Sequence, residues 1–232
     1  AAESFRLLRT NINFMLSKVK DRGKVIFTTS TLSGEGKTFI SINLSVALAL
    51  SNKKVLLIGA DIRKPKIIEY LNSNSLSEKG LTHFLMDDTL AVNEVIGASE
   101  LGFDVLHSGV LSPNPSELLM NGRFEDVIAY GKAHYDYIIV DTAPIQMVTD
   151  TLLLSQYADL SVYVVRADVL DKRLLEIPEK MYSEKRLPNM AVVLNDVNME
   201  KEVMGMAMAT VMVMDKKRLK NHGGNYFNTI TI

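Results

Sequence analysis

The stretch Lys24 to Thr38, KVIFTTSTLSGEGKT, constrains this chain more than any other. Val25, Ile26 and Phe27 read as a buried strand, a turn of small residues follows, and a helix opens at Lys37 and Thr38. A polyphosphate needs these parts in this order: a rigid strand to hold the loop, glycines so that backbone N–H groups can face the anion, and a helix N-terminus whose dipole favours negative charge. The reading places a nucleoside triphosphate among Ser33, Gly34, Glu35, Gly36, Lys37, Thr38 and Phe39. Lys37 reaches the β- and γ-phosphates and the Thr38 hydroxyl binds Mg²⁺. The pattern departs from G-x-x-x-x-G-K-[ST] at one position, where Thr31 stands for the first glycine.

Two later segments complete a phosphate site. Lys54 to Ile58 is a continuous apolar strand whose end delivers Gly59, Ala60, Asp61, Ile62 and Arg63. Tyr137 to Val140 is another, ending in Asp141. A carboxylate at a strand terminus opposite a phosphate loop holds Mg²⁺ through its water shell. An isolated Asp there is weak evidence; 104 positions after Lys37, in a chain that alternates strand and helix, it is persuasive. Asp61, Asp141 and Thr38 are therefore the expected metal-site residues, and Lys37, Asp61 and Asp141 the expected catalytic ones.

The alternation predicts an α/β fold, a mainly parallel sheet with helices on both faces. Helices are expected over residues 2–19, 39–50, 122–133 and 171–185, and one from Glu117 capped by Ser116. Further strands are expected at 160–166 and 190–194, with short strands, or a strand plus a turn, at 92–98 and 103–106. Residues 66–90 read as a mobile excursion with a short helix-like stretch, LTHFLMDD, in which His83 could be a base but, at helical spacing from Leu81 and Phe84, is more often structural. In the last segment Met204, Met206, Met208, Met212 and Met214 alternate with small residues, the pattern of an edge strand or of a disordered tail.

At 232 residues and 47% hydrophobic, the chain fits one medium domain of residues 1–198 with a tail of 199–232. A formal charge of −1 gives no bulk attraction to nucleic acid, and none is expected as a partner. The absence of cysteine suits a reducing compartment. The apolar run from Phe39 to Leu50 falls well short of the roughly 20 residues that span a bilayer. The chain opens on AAESF without an initiator methionine and is read as a piece of something longer.

With these pieces placed, the chain resembles the cytoplasmic kinase domain of bacterial tyrosine kinases, the BY-kinases of the polysaccharide co-polymerase family that accompany capsular and exopolysaccharide export. The resemblance covers about residues 1–198 and rests on ESFRLLRTNI, S-x-x-SGEGKT, LLI-x-ADIRKP, PNPSELL, IIVDTAP, RADVLDKR and LNDV. It implies a P-loop NTPase fold related to MinD and ParA, ATP/ADP and Mg²⁺ as cofactors, and phosphorylation of tyrosine, mainly of a C-terminal tyrosine cluster presented in trans within a ring. It implies, too, protein tyrosine substrates, a membrane-embedded co-polymerase activator region as partner, and a location at the cytoplasmic face of the bacterial inner membrane. Glu3, Arg6 and Arg9 take the E-x-x-R-x-x-R places at the ring's subunit contacts, where the bland reading is a solvated face. Arg63 and Asn195 are assigned to the nucleotide, Asn195 near the adenine.

Two departures stand out. The family's second motif reads D-x-D, and this chain has Gly59 at its first Asp, the proposed base for the tyrosine hydroxyl. Asp61 then takes the role, or the loose transition state needs little base help, or activity is reduced. In the tail the expected tyrosines are methionines, leaving Tyr226, so either tyrosines have been replaced or the segment is simply Met-rich. The competing function is a nucleotide-switched assembly ATPase of the MinD/ParA kind. The absence of a lysine between Val25 and Glu35 favours the kinase.

Overall fold

A computed structural model describes residues 2–71, 76–146, 150–197 and 211–213. Its centre is one eight-stranded sheet in the order β3-β4-β2-β5-β1-β6-β7-β8. The strands are β1 (Lys24–Ser30), β2 (Val55–Gly59), β3 (Gly97–Ala98), β4 (Asp104–Leu106), β5 (Tyr137–Asp141), β6 (Leu160–Arg166), β7 (Ala191–Asn195) and β8 (Val211–Val213). All pairings are parallel except β3 with β4 and β7 with β8 at the two edges.

Both faces are covered, which is why the central strands read as unbroken apolar runs. Side chains alternate across a strand, so Ile26, Leu57, Ile139 and Val162 enter one core. There they meet Phe5, Leu8, Ile12 and Leu16 of α1 (Ala2–Met15) and its extension, and Ile40, Leu44 and Leu48 of α2 (Lys37–Ala49). Val25, Phe27, Ile58, Ile138 and Val140 enter the opposite core. That side is closed by α4 (Leu81–Met86), α6 (Arg123–His134) and Leu154 of α7 (Asp150–Leu154), with α8 (Glu176–Ser183) covering Tyr163 and Val192 nearer the β8 edge.

Residues 92–98 take the strand-plus-turn alternative, with Val92–Val95 a 3-10 turn and Gly97–Ala98 strand. Other local expectations need correction. The helix α5 runs Pro115–Leu119, starting two residues earlier than expected, and Ser116 does not cap it. Pro115 at the first turn costs nothing because its missing N–H is one of the orphans there. The 171–185 helix is a 3-10 turn at Lys172–Leu175 followed by α8. Within 66–90 the short helix-like stretch is α4, and the described residues also form α3 (Ile67–Tyr70), the two pinned by buried Ile67, Leu81, Phe84 and Leu85. His83 Nδ1 accepts the Gly80 N–H at 3.0 Å, a structural role. The edge-strand alternative for the methionine segment holds at Val211–Val213, which includes Met212. Met204, Met206, Met208, Met214 and Tyr226 lie outside the described residues.

One ion pair ties the start of β1 to the start of β6. Arg22 donates to both oxygens of Asp159 at 2.8 and 2.6 Å, and Asp159 also accepts the Val25 N–H at 2.9 Å. Burial raises the Asp159 carboxyl, but the Arg22 guanidinium and that N–H outweigh it and hold the group below the usual carboxylate range. A depressed folded value means the stabilisation is present above the unfolded carboxyl pKa and lost as pH falls through the folded one. Asp159→Ala is therefore expected to cost about 1–3 kcal/mol at neutral pH, with the gap to the parent narrowing in acid, as urea unfolding at both pH values would register.

Candidate nucleotide site

The sheet reverses its winding at β1, which has β5 on one side and β6 on the other. In such sheets the ligand crevice opens beyond the C-terminal strand ends at the reversal. The loop of residues 31–36 lies there, between β1 and α2. Gly34 (φ 86°) and Gly36 (φ 94°) take left-handed conformations that only glycine adopts without strain, and Gly36 is the residue from which α2 starts. A Cβ on Gly36 would collide with the Asn195 amide. The place of the missing first glycine is explained by the same geometry. Thr31 has no positive φ, is fully buried, and its hydroxyl meets the Tyr163 hydroxyl at 2.8 Å beneath the loop.

The two carboxylates are positioned by strand register. Gly59 on β2 pairs with Asp141 on β5, and the Asp141 carbonyl accepts the N–H groups of both Ala60 and Asp61, at 2.8 and 3.1 Å. Thr38 on the first turn of α2 donates its hydroxyl to Asp141 Oδ2 at 2.6 Å, and Ser41 reaches Oδ1 at 3.5 Å. Asp61 Oδ1 accepts the backbone N–H groups of Arg63 and Lys64 at 3.3 and 3.0 Å, which fixes its carboxylate on the turn after β2. Burial pushes the Asp141 carboxyl up to about 6; the Thr38 hydroxyl and Lys37 pull the other way without cancelling it. Lys37 is itself buried, 7% exposed.

A cleft of about 400 Å³ opens over these groups. Of the residues expected from sequence, Ser33, Gly34, Gly36, Lys37, Thr38, Phe39, Asp61 and Asn195 line it. Asn195 donates to the Glu35 carbonyl at 3.0 Å, so its amide braces the loop. The Glu35 side chain turns under the loop instead, accepting the Leu32 N–H at 2.6 Å, and burial raises its carboxyl. Arg63 is not brought to the cleft: it donates to Ser116 Oγ at 2.8 Å and borders a separate hollow with Leu119 and Leu154. Glu3 and Arg6 pair with each other at 3.1 Å on the exposed face of α1. Arg9 donates to the Ala47 carbonyl at 2.9 Å and to the Ser51 hydroxyl, tying α1 to the end of α2.

Five cleft residues escaped the sequence reading: Lys64, Lys66, Tyr70, Arg166 and Asp196. Arg166 ends β6 and donates to Asp196 Oδ2 at 2.9 Å and to the Gly34 carbonyl at 3.1 Å, clasping the loop from the side away from Asp61. The signal was available, since both residues stand at or just beyond the end of a strand on the β6 side of β1.

The donor set suits Mg²⁺. One hydroxyl, one buried carboxylate and a second carboxylate on the next strand leave room for waters and phosphate oxygens, which this ion prefers to an all-protein cage. No cluster of three or more His, Cys, Asp or Glu suited to another metal occurs among the described residues.

At Gly59, where the resemblance implies an acid, there is no room for a side chain. A Cβ there would lie 2.7 Å from Ser108 Oγ and 3.1 Å from Ile67 Cδ1. Gly59→Asp alone is thus expected to lower the melting temperature, by ~2–6 °C for about 1–2 kcal/mol of overpacking, and adding Ser108→Gly is expected to recover most of the loss in a thermal melt.

The fold and site define a P-loop nucleotide-binding protein of the AAA-domain class, and that family's model matches residues 23–170. The chain belongs, within that class, to the bacterial tyrosine-protein kinases. It is 38% identical to tyrosine-protein kinase YwqD of Bacillus subtilis over 172 residues, 74% of this chain and 70% of the relative. Among solved structures, the kinase domain of Escherichia coli tyrosine kinase ETK matches with a TM-score of 0.76 and 31% identity, covering 85% of this chain and 76% of that one. MinD of Pyrococcus horikoshii, solved with Mg-ADP, shares the fold at a TM-score of 0.61 and 19% identity over 77% of this chain and 75% of that one. The chain spans about a quarter of the length of several curated relatives it matches, 26% of two of them and 27% of a third.

Proposed function

We propose that the chain is an ATP-dependent protein-tyrosine kinase that modifies tyrosines of a neighbouring copy in trans, within a ring, and thereby regulates capsular or exopolysaccharide synthesis. The observation that carries this is the Thr38–Asp141 contact beside buried Lys37, in a chain that belongs to the tyrosine-kinase family. Residues 1–198 act as the kinase unit and 199–232 as its tail.

In this reading the glycines of the loop let backbone N–H groups approach the phosphates, and Lys37 neutralises charge that moves onto the β–γ bridging oxygen. Thr38, Asp61 and Asp141 would hold Mg²⁺, which when bound would draw electron density from the same phosphates. The tyrosine oxygen attacks the γ-phosphorus, the bond to the bridging oxygen breaks, ADP leaves, and Asp61 takes the hydroxyl proton. Asn195 and the Arg166–Asp196 clasp keep the loop in shape and border the place of the base. The Glu3–Arg6 pair faces outward, where each can exchange its partner for a group on the next subunit. No helix among the described residues is long and apolar enough to cross a membrane, so the proposed site at the inner membrane's cytoplasmic face requires a membrane-embedded activator region.

Gly59 favours a second reading, a MinD-like switch in which ATP governs assembly and no tyrosine is modified. Incubation with γ-labelled ATP, Mg²⁺ and a tyrosine-rich peptide separates the two. Label on the peptide is expected; phosphate release or ring formation without transfer supports the switch.

A further inference from the structure

Two adjacent cations on the turn after β2 end in different places. Arg63, the one to which the sequence motif points, donates to Ser116 Oγ at 2.8 Å and borders a hollow apart from the nucleotide cleft. Lys64 lines the cleft itself, together with Lys37, Thr38 and Asp61. The main chain of Lys64 is fixed on both sides. Asp61 Oδ1 accepts its N–H at 3.0 Å, so the carboxylate that serves as base and the root of this side chain belong to one turn. Pro65 follows and restricts the backbone of the residue before it. Buried Ile62 and Ile67 anchor the segment in the cores on opposite faces of the sheet.

The other cations of the cleft have tasks already. Arg166 is held by Asp196 and the Gly34 carbonyl. Lys66 donates to both oxygens of Glu69, at 2.8 and 2.9 Å. Lys37 is buried at the start of α2, where it serves the β–γ bridge. Among the described residues Lys64 is in no ion pair. A surface lysine ordinarily keeps its ammonium in solvent and does nothing more. This one stands over the place where the charge of a triphosphate collects. Phosphoryl transfer spreads charge over the γ oxygens, and P-loop enzymes commonly meet it with a cation beyond the loop lysine. No lysine lies between Val25 and Glu35, so the loop does not carry that second cation, and Arg63 is turned away from it.

We infer that Lys64 is a further catalytic residue, whose ammonium contacts the γ-phosphoryl oxygens during transfer from the Asp61 side of the cleft, across from the Arg166 clasp. The inference deepens the phosphoryl-transfer reading of this site and rests on it. The acceptor oxygen bonds to the γ-phosphorus while its proton passes to Asp61, and the bond to the bridging oxygen breaks with its electron pair leaving on ADP. Lys64 gains and loses no proton in that step. It offsets the charge that the γ oxygens carry between the two bonds. A compact ammonium on a flexible stem suits this task, because its donors can follow the group as it flattens and inverts.

The test joins a rate to a binding measurement, both on the full chain. With γ-labelled ATP, Mg²⁺ and a tyrosine-rich peptide, Lys64→Gln is expected to lower kcat by at least about thirtyfold and to leave the KM for ATP within about threefold. Its melting temperature should not move, since the side chain is exposed. Lys64→Arg should recover most of the rate, and Lys66→Gln should lose less than Lys64→Gln because Glu69 already holds that ammonium. Calorimetric titration of ADP with Mg²⁺ and fluoroaluminate, which imitates the flattened phosphoryl group, reads the same contact with no acceptor present. The parent is expected to bind ADP at least about tenfold tighter with fluoroaluminate than without, and Lys64→Gln to forfeit most of that gain. A kcat for Lys64→Gln within about threefold of the parent, a loss no larger than that of Lys66→Gln, or a fluoroaluminate gain that is the same in parent and Lys64→Gln would overturn the inference. A gain that depends on Lys64 in a parent that puts no label on the peptide would support the contact and count against the tyrosine-kinase reading alone.

Discussion

Replacing Asp141 by Asn is expected to make the nucleotide-free protein more stable at pH 8 while reducing tyrosine phosphorylation by about a hundredfold or more. The carboxyl is held at about 6 by burial, against an ordinary value of 3.8. A raised folded value means the fold prefers the protonated acid, so stability is full below the unfolded pKa and declines as pH rises through the folded one. Keeping this acid ionised inside the fold at alkaline pH therefore costs ~3 kcal/mol. Asn escapes that penalty and can still accept the Thr38 hydroxyl. Part of the gain is lost because buried Lys37 then lacks a near counter-charge, which leaves about 1–2 kcal/mol, or ~2–6 °C in melting temperature. At pH 5 the folded acid is mostly protonated but the unfolded one is ionised, so the gap should narrow to about half, and it should close only near pH 3, where both states carry the proton. A difference that is the same at pH 5 and pH 8 would show that burial of charge is not the cause. The opposite signs of the stability and activity effects mark Asp141 as kept for Mg²⁺ at a cost to the fold.

Lys37→Met is expected to lower transfer by about a thousandfold, equivalent to ~4 kcal/mol of transition-state stabilisation, because the ammonium acts on charge that develops as the bridging bond breaks. Stability should change little, since Met fills similar space without a buried charge but leaves buried Asp141 without the lysine that offsets its burial. Steady-state assays at saturating ATP would separate the loss of rate from loss of binding. A variant that retains a tenth of the parent kcat would remove Lys37 from the chemistry.

The parts of this site that sequence exposes are those carried by one short segment each. The loop announces itself because its strand, glycines, lysine and helix start are contiguous, and Asp61 and Asp141 because each follows an apolar run. What stays hidden depends on which strands become neighbours. Arg166 and Asp196 are 30 residues apart in the chain and meet only because β6 and β7 pair, with Arg166 opposite Asn195. Ser108 fills the space beside Gly59 only because β4 lies against β2. Arg63 shows the converse: it stands in a motif rich in phosphate-site residues, yet the turn after β2 carries it toward Ser116. Thr31 looked like a defect in the loop, but a position with no positive φ has no need of glycine.

Isothermal titration of ATP into the intact chain, with and without Mg²⁺, reads out whether the Lys37–Thr38 loop and the two carboxylates grip a nucleotide. Saturable binding that Mg²⁺ strengthens is expected, with loss of that strengthening in both Lys37→Met and Asp141→Asn. Absence of adenine-nucleotide uptake, or uptake indifferent to Mg²⁺ and to both substitutions, would contradict it.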